Sequence, residues 1–197
     1  MGRLCDLRPG TDRRGGATLV VCREATGAST ACGGKDRISM VPIAEAAADF
    51  LTARRIAVTG VSREPGSHGG NAVMSGLRRR GFSVIPVNPN AHDVEGTACY
   101  PNLAAIPGGV DAVVIATRPE QAAATVRECA DLGIKKVWLH RSIGGGSVSE
   151  DAVQVGRENG ITVIDGGCPL MFGPDADRAH RLMRGFCRLT GAVPREV

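Results

Sequence analysis

Apolar residues along this chain fall in short runs, and between the runs they recur every three or four positions. The runs are Ile56-Ala-Val58, Val84-Ile-Pro-Val87, Val110-Asp-Ala-Val-Val-Ile-Ala116, Val137-Trp-Leu139 and Ile161-Thr-Val-Ile164. Near-continuous apolar runs of this length are expected of parallel strands buried on both faces. The segments between them read as helices. Val73, Met74 and Leu77 share one face of the first, which ends in Arg78, Arg79 and Arg80. Residues 119–132 carry Ala122, Val126, Cys129 and Ala130 inward, with Gly133 as C-cap. Residues 147–159 open on a capping box, Ser147-x-x-Glu150, and close at Gly160. Residues 175–189 place Leu182, Met183, Phe186 and Leu189 on one apolar face, read as inward, with a dimer face as the alternative for this stripe. Ahead of the first strand, Pro42 opens a helix striped by Ile43, Ala46, Ala47, Phe50 and Leu51. Thr97 to Tyr100 reads as a short edge strand, and Pro101 opens a helical turn through Leu103, Ala104 and Ile106.

Strands alternating with helices predict parallel pairing through right-handed crossovers. The fold class is therefore α/β, a Rossmann-like doubly wound parallel sheet in three αβα layers. The expected strand order is 3-2-1-4-5-6, with the Cys99 strand at one edge. A ligand crevice belongs where the order reverses, between the strands ending at Gly60 and Ala116.

The loop at Gly60 carries the chemistry. Glycine has no Cβ, so the backbone turns sharply and approaches a ligand closely. The N–H groups at the start of the next helix have no partner in that helix and can donate to a phosphate. A dinucleotide fingerprint, G-x-G-x-x-G, would need glycines where Ser62 and Pro65 stand. The second strand ends in Asn88-Pro89-Asn90, not in the acid that an NAD site uses for its ribose. The fold signal is clear and the NAD signal is weak.

Composition narrows the classes. With 197 residues the chain is one domain with room for an extension, and 43% hydrophobic residues suffice for a core. Residues 1–40 hold seven Lys/Arg against four Asp/Glu, and their glycines break every periodic window. They read as a disordered extension before a single domain at 41–197. The remaining chain, 17 basic against 16 acidic residues, is near neutral, which argues against a nucleic-acid surface. No apolar run approaches the length of a membrane span, and no secretory signal is evident. Seven scattered cysteines without a C-x-x-C pair read as reduced thiols of a cytoplasmic protein. No metal site is expected. A Ser/His/Asp set, an H-E-x-x-H motif and a P-loop lysine are all missing. The reading is of a binding protein, with no catalytic residues, in preference to an enzyme.

Five segments in order resemble the CoA-binding protein family, small Rossmann-like domains related to the amino-terminal domain of the succinyl-CoA synthetase α subunit. They are Ile56-Ala-Val-Thr-Gly-Val-Ser62, Val84-Ile-Pro-Val-Asn-Pro-Asn90, Glu95-Gly-Thr-Ala-Cys-Tyr-Pro101, Val110-Asp-Ala-Val-Val-Ile-Ala-Thr117 and Gly167-Cys-Pro169. The resemblance spans roughly residues 43–173. It implies coenzyme A or an acyl-CoA as ligand. Gly60, Val61, Ser62 and Arg63 would cradle the ADP part, with Asn88, Pro89 and Asn90 beside it. Thr117, Arg118 and Pro119, then Ile143, then Cys168 and Pro169 would line the pantetheine. Two positions depart from the family pattern. Asn90-Ala91 follows the second strand where many relatives place Lys, and Leu170 replaces the Lys of Cys-Pro-Lys. Both changes remove a positive charge, and Arg63 can supply one in return. The implied partners are a CoA ligand and either a second copy of the chain or a ligase subunit. Two alternatives remain open: an NAD(P)-dependent oxidoreductase or redox sensor, and the nucleotide-binding subunit of an acyl-CoA ligase.

Overall fold

The structure, a computed structural model, describes residues 41–64, 69–141 and 146–197. The reading of residues 1–40 as a disordered extension and the assignment of Ile143 lie outside the described residues. Seven strands occur among them: β1 (Arg55–Thr59), β2 (Ser83–Val87), β3 (Asp93–Val94), β4 (Thr97–Ala98), β5 (Ala112–Ile115), β6 (Lys136–Leu139) and β7 (Thr162–Asp165). Five form one parallel sheet in the order β2-β1-β5-β6-β7. The register sets Ile56 beside Val84 on one side and Ala112 on the other.

Residues of one strand alternate between two cores, as the pleat requires. Ile56 and Val58 face a core with helices α1 (Ile43–Phe50) and α2 (Gly69–Arg79). Ala57, Val113 and Ile115 face the other, with α3 (Pro119–Asp131) and α4 (Glu150–Glu158). This is the three-layer αβα arrangement. In the first core Trp138 meets Phe50 edge to face, with ring centroids 5.2 Å apart. Its indole N–H donates to the Gly166 carbonyl at 2.9 Å, so the buried ring leaves no polar atom unpaired. No helix among the described residues is long and apolar enough to cross a membrane.

Three expectations need correction. The edge strand through Cys99 shrinks to a single parallel bridge, Val87 to Tyr100. Tyr100 N–H donates to the Pro86 carbonyl and Asn88 N–H to the Tyr100 carbonyl. Pro86 has no N–H to donate back toward Ala98, so the ladder cannot extend that way. Thr97–Ala98 pairs instead with Asp93–Val94 in a small antiparallel hairpin. Residues 101–106 form the expected brief turn, closed by Ile106 N–H on the Leu103 carbonyl, and Glu128 Oε1 accepts from the N–H groups of Leu103 and Ala104 at its start. The cap of α4 is Ser149, whose hydroxyl accepts from Ala152 N–H. Ser147 is buried, and its hydroxyl donates to the Thr117 carbonyl. The terminal helix α5 (Arg178–Leu189) reaches the core only through Cys187 and Met183. Leu182, Phe186 and Leu189 face away from it and are exposed.

Candidate functional site

β1 and β5 are neighbours, yet the chain leaves them toward opposite edges of the sheet, so the order reverses between them. At that point β1 ends and Gly60 turns with φ 74°. A Cβ on Gly60 would stand 2.7 Å from the Thr117 nitrogen and closer still to the Ala116 carbonyl. The two loops therefore touch, and only glycine fits. Gly70, in the first turn of α2, is also close: a Cβ there would come within 2.9 Å of the Gly60 carbonyl oxygen. Gly70 thus provides the tight helix–strand packing that the dinucleotide fingerprint obtains from its third glycine.

The loop after Gly60 is held by side chains whose roles the sequence did not reveal. Asn71 is buried, and its Oδ1 accepts from Ser62 N–H at 2.7 Å. Its Nδ2 donates to the Ser62 carbonyl and to Glu95 Oε1, each at 2.9 Å. Glu95 Oε2 accepts from the Ser75 hydroxyl at 3.0 Å. Glu95 adopts φ 52°, a left-handed conformation uncommon for a residue with a side chain. From the far side, Asn88 Nδ2 donates to the Val61 carbonyl at 2.7 Å, and its Oδ1 accepts from Asn90 N–H at 2.8 Å. The Asn88 amide is thus engaged within the protein. Arg63 is exposed and forms no ion pair among the described residues.

These loops border a crevice of about 400 Å³, lined by Thr59, Gly60, Asn88, Asn90 and Thr117 with Gln121 on α3. Pro89 also reaches it. Thr59 Oγ1 and Thr117 Oγ1 are buried without a hydrogen-bond partner among the described residues. Two unpaired hydroxyls on adjacent strand ends are costly unless a ligand or solvent meets them.

The other expected residues are placed apart. Arg118 is exposed at the N-cap of α3, with Pro119 at its first position. Cys168 and Pro169 are buried after β7. Burial pushes the Cys168 thiol up to about 11, so it is protonated near neutrality. The loop that follows is fixed by Arg80, at the end of α2, which donates to the carbonyls of Pro169, Leu170 and Phe172. Leu170 is buried and packs against Gly76 of α2. His140, at the end of β6, is buried beside Gly69, and burial lowers its pKa to about 4. It is a neutral imidazole at neutral pH. A second depression, of about 520 Å³, lies between Arg79, Arg80, Asp175, Asp177 and His180, away from the strand ends. No group of three or more His, Cys, Asp or Glu among the described residues is arranged to hold a metal.

A parallel sheet with a glycine turn, a close-packed helix start and a polar crevice at the reversal point defines a nucleotide-binding α/β domain. The chain belongs to the CoA binding domain family, whose pattern matches residues 54–174. Over 146 residues it is 30% identical to an ADP-forming acetate–CoA ligase II of Archaeoglobus fulgidus, covering 70% of this chain and 20% of the ligase. The chain thus spans about a fifth of that relative's length. It is 32% identical over 111 residues to the uncharacterized protein YneT of Bacillus subtilis, covering 56% of this chain and 78% of YneT. A solved structure of a hypothetical protein from Pyrococcus horikoshii superposes with a TM-score of 0.60 at 25% identity, covering 74% of this chain and 94% of that one.

The glycine turn and strand ends were legible as site elements. Thr59, Asn71, Glu95 and His140 were not singled out as site residues. For Asn71 a signal existed: a polar residue on the apolar face of α2, between Gly70 and Val73.

Proposed function

We propose that this protein binds coenzyme A or an acyl-CoA in the crevice between the ends of β1 and β5, without catalytic machinery of its own. The observation that carries this reading is the crevice at the reversal point, where the Gly60 turn packs against the loop after β5 and against Gly70 at the start of α2. The pyrophosphate meets the N–H groups at the start of α2, where the positive helix end favours an anion. Thr59 and Thr117 form the crevice wall beside the ligand. Asn90 and Pro89 border the adenosine, and Arg63 meets the 3′-phosphate that distinguishes CoA from NAD. Arg118 and Pro119 flank the pantetheine, with Cys168 and Pro169 beyond. A charge-assisted bond of the Arg63 kind contributes about 1.5–3 kcal/mol, roughly one to two decades in dissociation constant. The absence of an acid after β2 leaves the paired ribose hydroxyls of NAD without their usual acceptor. A cytoplasmic location suits this role, and the described cysteines are all free thiols.

Titration calorimetry with CoA, acetyl-CoA, dephospho-CoA, NAD and NADP tests the proposal. CoA should bind tightest of the unacylated ligands, then dephospho-CoA, then NAD. Tighter binding of NAD than of CoA would replace this reading with the oxidoreductase one.

The acetate–CoA ligase relative favours a second reading. Here the chain is the CoA-holding subunit of an acyl-CoA ligase, and a separate chain supplies the nucleotide site. Acyl-CoA formation from ATP, CoA and a carboxylic acid should then appear only when both chains are mixed.

A further inference from the structure

Among the described residues, three of the four exposed large apolar side chains lie on one helix. Leu182 is 79%, Phe186 65% and Leu189 87% exposed, all on α5. Spaced four and then three residues apart, they form one stripe. Beside them, in the middle of the helix, stands Gly185, and a Cβ built there meets nothing within 4 Å. Nothing in the single chain calls for glycine at this position, where it weakens a helix relative to alanine. A bare backbone next to an apolar stripe lets a second helix approach closely.

We propose that this stripe pairs with the same stripe on a second copy of the chain, with the two α5 helices antiparallel about a two-fold axis. The pattern is self-complementary, as a two-fold interface requires. The midpoint of positions 182 and 189 falls between Gly185 and Phe186. An axis there sets Leu182 of each copy against Leu189 of the other, and Phe186 against Gly185. The charges agree. Exposed Asp175 precedes the helix together with Asp177, which caps it and pairs with His180 at 2.7 Å, and Arg188 lies in its last turn. Antiparallel pairing brings the acidic end of each copy to the basic end of the other. Arg178, in the first turn, comes to the carbonyl end of the other helix, where positive charge is favoured. The two remaining arginines are tied to their own chain. Arg181 donates to the Pro174 carbonyl at 2.9 Å. Arg184 donates to the Met171 carbonyl at 3.3 Å and stands 5.5 Å above the Phe172 ring. An anionic lipid surface would match the arginines but not the aspartates.

Sedimentation equilibrium of the full chain across the micromolar range tests the pairing. The wild type should dimerise. Phe186→Glu and Leu182→Glu should each raise the dissociation constant by about tenfold or more. Their far-UV circular dichroism and dilute-solution melting should not change, because both side chains already face solvent in the monomer. Gly185→Ala should move two readouts in opposite directions, raising the melting temperature of the dilute monomer and weakening the dimer. A wild type that stays monomeric overturns the proposal, as does a dimer indifferent to Phe186→Glu and Gly185→Ala. So does a solution monomer that co-sediments with phosphatidylglycerol vesicles in a Phe186-dependent way, which would assign the stripe to lipid.

Discussion

The side-chain amide of Asn71 grips Ser62 from both sides, accepting from its N–H at 2.7 Å and donating to its carbonyl at 2.9 Å. The same Nδ2 reaches Glu95, on a hairpin turn 24 residues further along. One buried amide therefore joins the glycine loop, the start of α2 and the turn between β3 and β4. Asn71→Ala leaves the Ser62 N–H and the Glu95 carboxylate short of a partner. We expect a loss of about 3 kcal/mol in urea unfolding and at least ~10-fold weaker CoA binding. Unchanged stability and affinity together would show that the clamp is idle.

Two glycines with similar backbone angles should respond differently to alanine. Gly81 has φ 86° and open space around it, so Gly81→Ala should cost only the left-handed penalty of about 1–2 kcal/mol. Gly60 has φ 74° and the loop after β5 against it. Gly60→Ala should exceed ~4 kcal/mol or fail to fold. Equal losses in chemical denaturation would contradict the close contact of the two loops.

Thr59→Val and Thr117→Val exchange an unpaired buried hydroxyl for a methyl of the same shape. Removing an unsatisfied group is neutral or stabilising for the protein alone. We therefore expect an unchanged or raised melting temperature and roughly three- to tenfold weaker CoA binding for each. Full affinity in both variants would remove the hydroxyls from the site.

Arg63→Ala should abolish most of the preference for CoA over dephospho-CoA and leave NAD binding nearly unaffected. Calorimetry on the three ligands reads this directly. A preference that survives the substitution would mean another cation meets the 3′-phosphate.

His140 makes stability depend on pH. Its folded pKa of about 4 lies below the ordinary 6.5, because burial disfavours the imidazolium. Between these values the unfolded chain binds the proton and the folded one does not. Stability is therefore full above pH ~6.5 and falls as pH drops toward ~4, by about 3 kcal/mol in total. Asp165, whose pKa burial raises, acts in the opposite sense. The informative quantity is thus the difference between wild type and His140→Gln. That difference should decline by this amount across the window, and a flat difference would place His140 in contact with water.

The central strands β1, β5 and β6 were readable because they are buried on both faces. Four apolar residues in a row, as at Ala112–Ile115, suit such a strand and leave no polar face for a surface helix. Gly60 was readable because a glycine directly after such a run marks a turn. The fold around them needed tertiary knowledge. The pattern of α5 shows that one face is apolar but not whether the domain covers it. Ser147 and Ser149 both offer a hydroxyl near the start of α4. Which one caps was decided by a bond from Ser147 to the Thr117 carbonyl, 30 residues away. The Asn71–Glu95 contact is likewise long-range, and so is the bond from the Asn88 amide to the Val61 carbonyl.

The grip of Arg80 on the carbonyls of Pro169, Leu170 and Phe172 bears on how the domain comes together. These bonds join positions 89 to 92 residues apart in the chain. The guanidinium is made early in synthesis, and its acceptors emerge only after β7. Until then α2 lacks the Leu170 side chain that packs against Gly76. Closing so long a loop is slow, so the last step of folding should be the docking of the segment after β7 onto a helix completed long before.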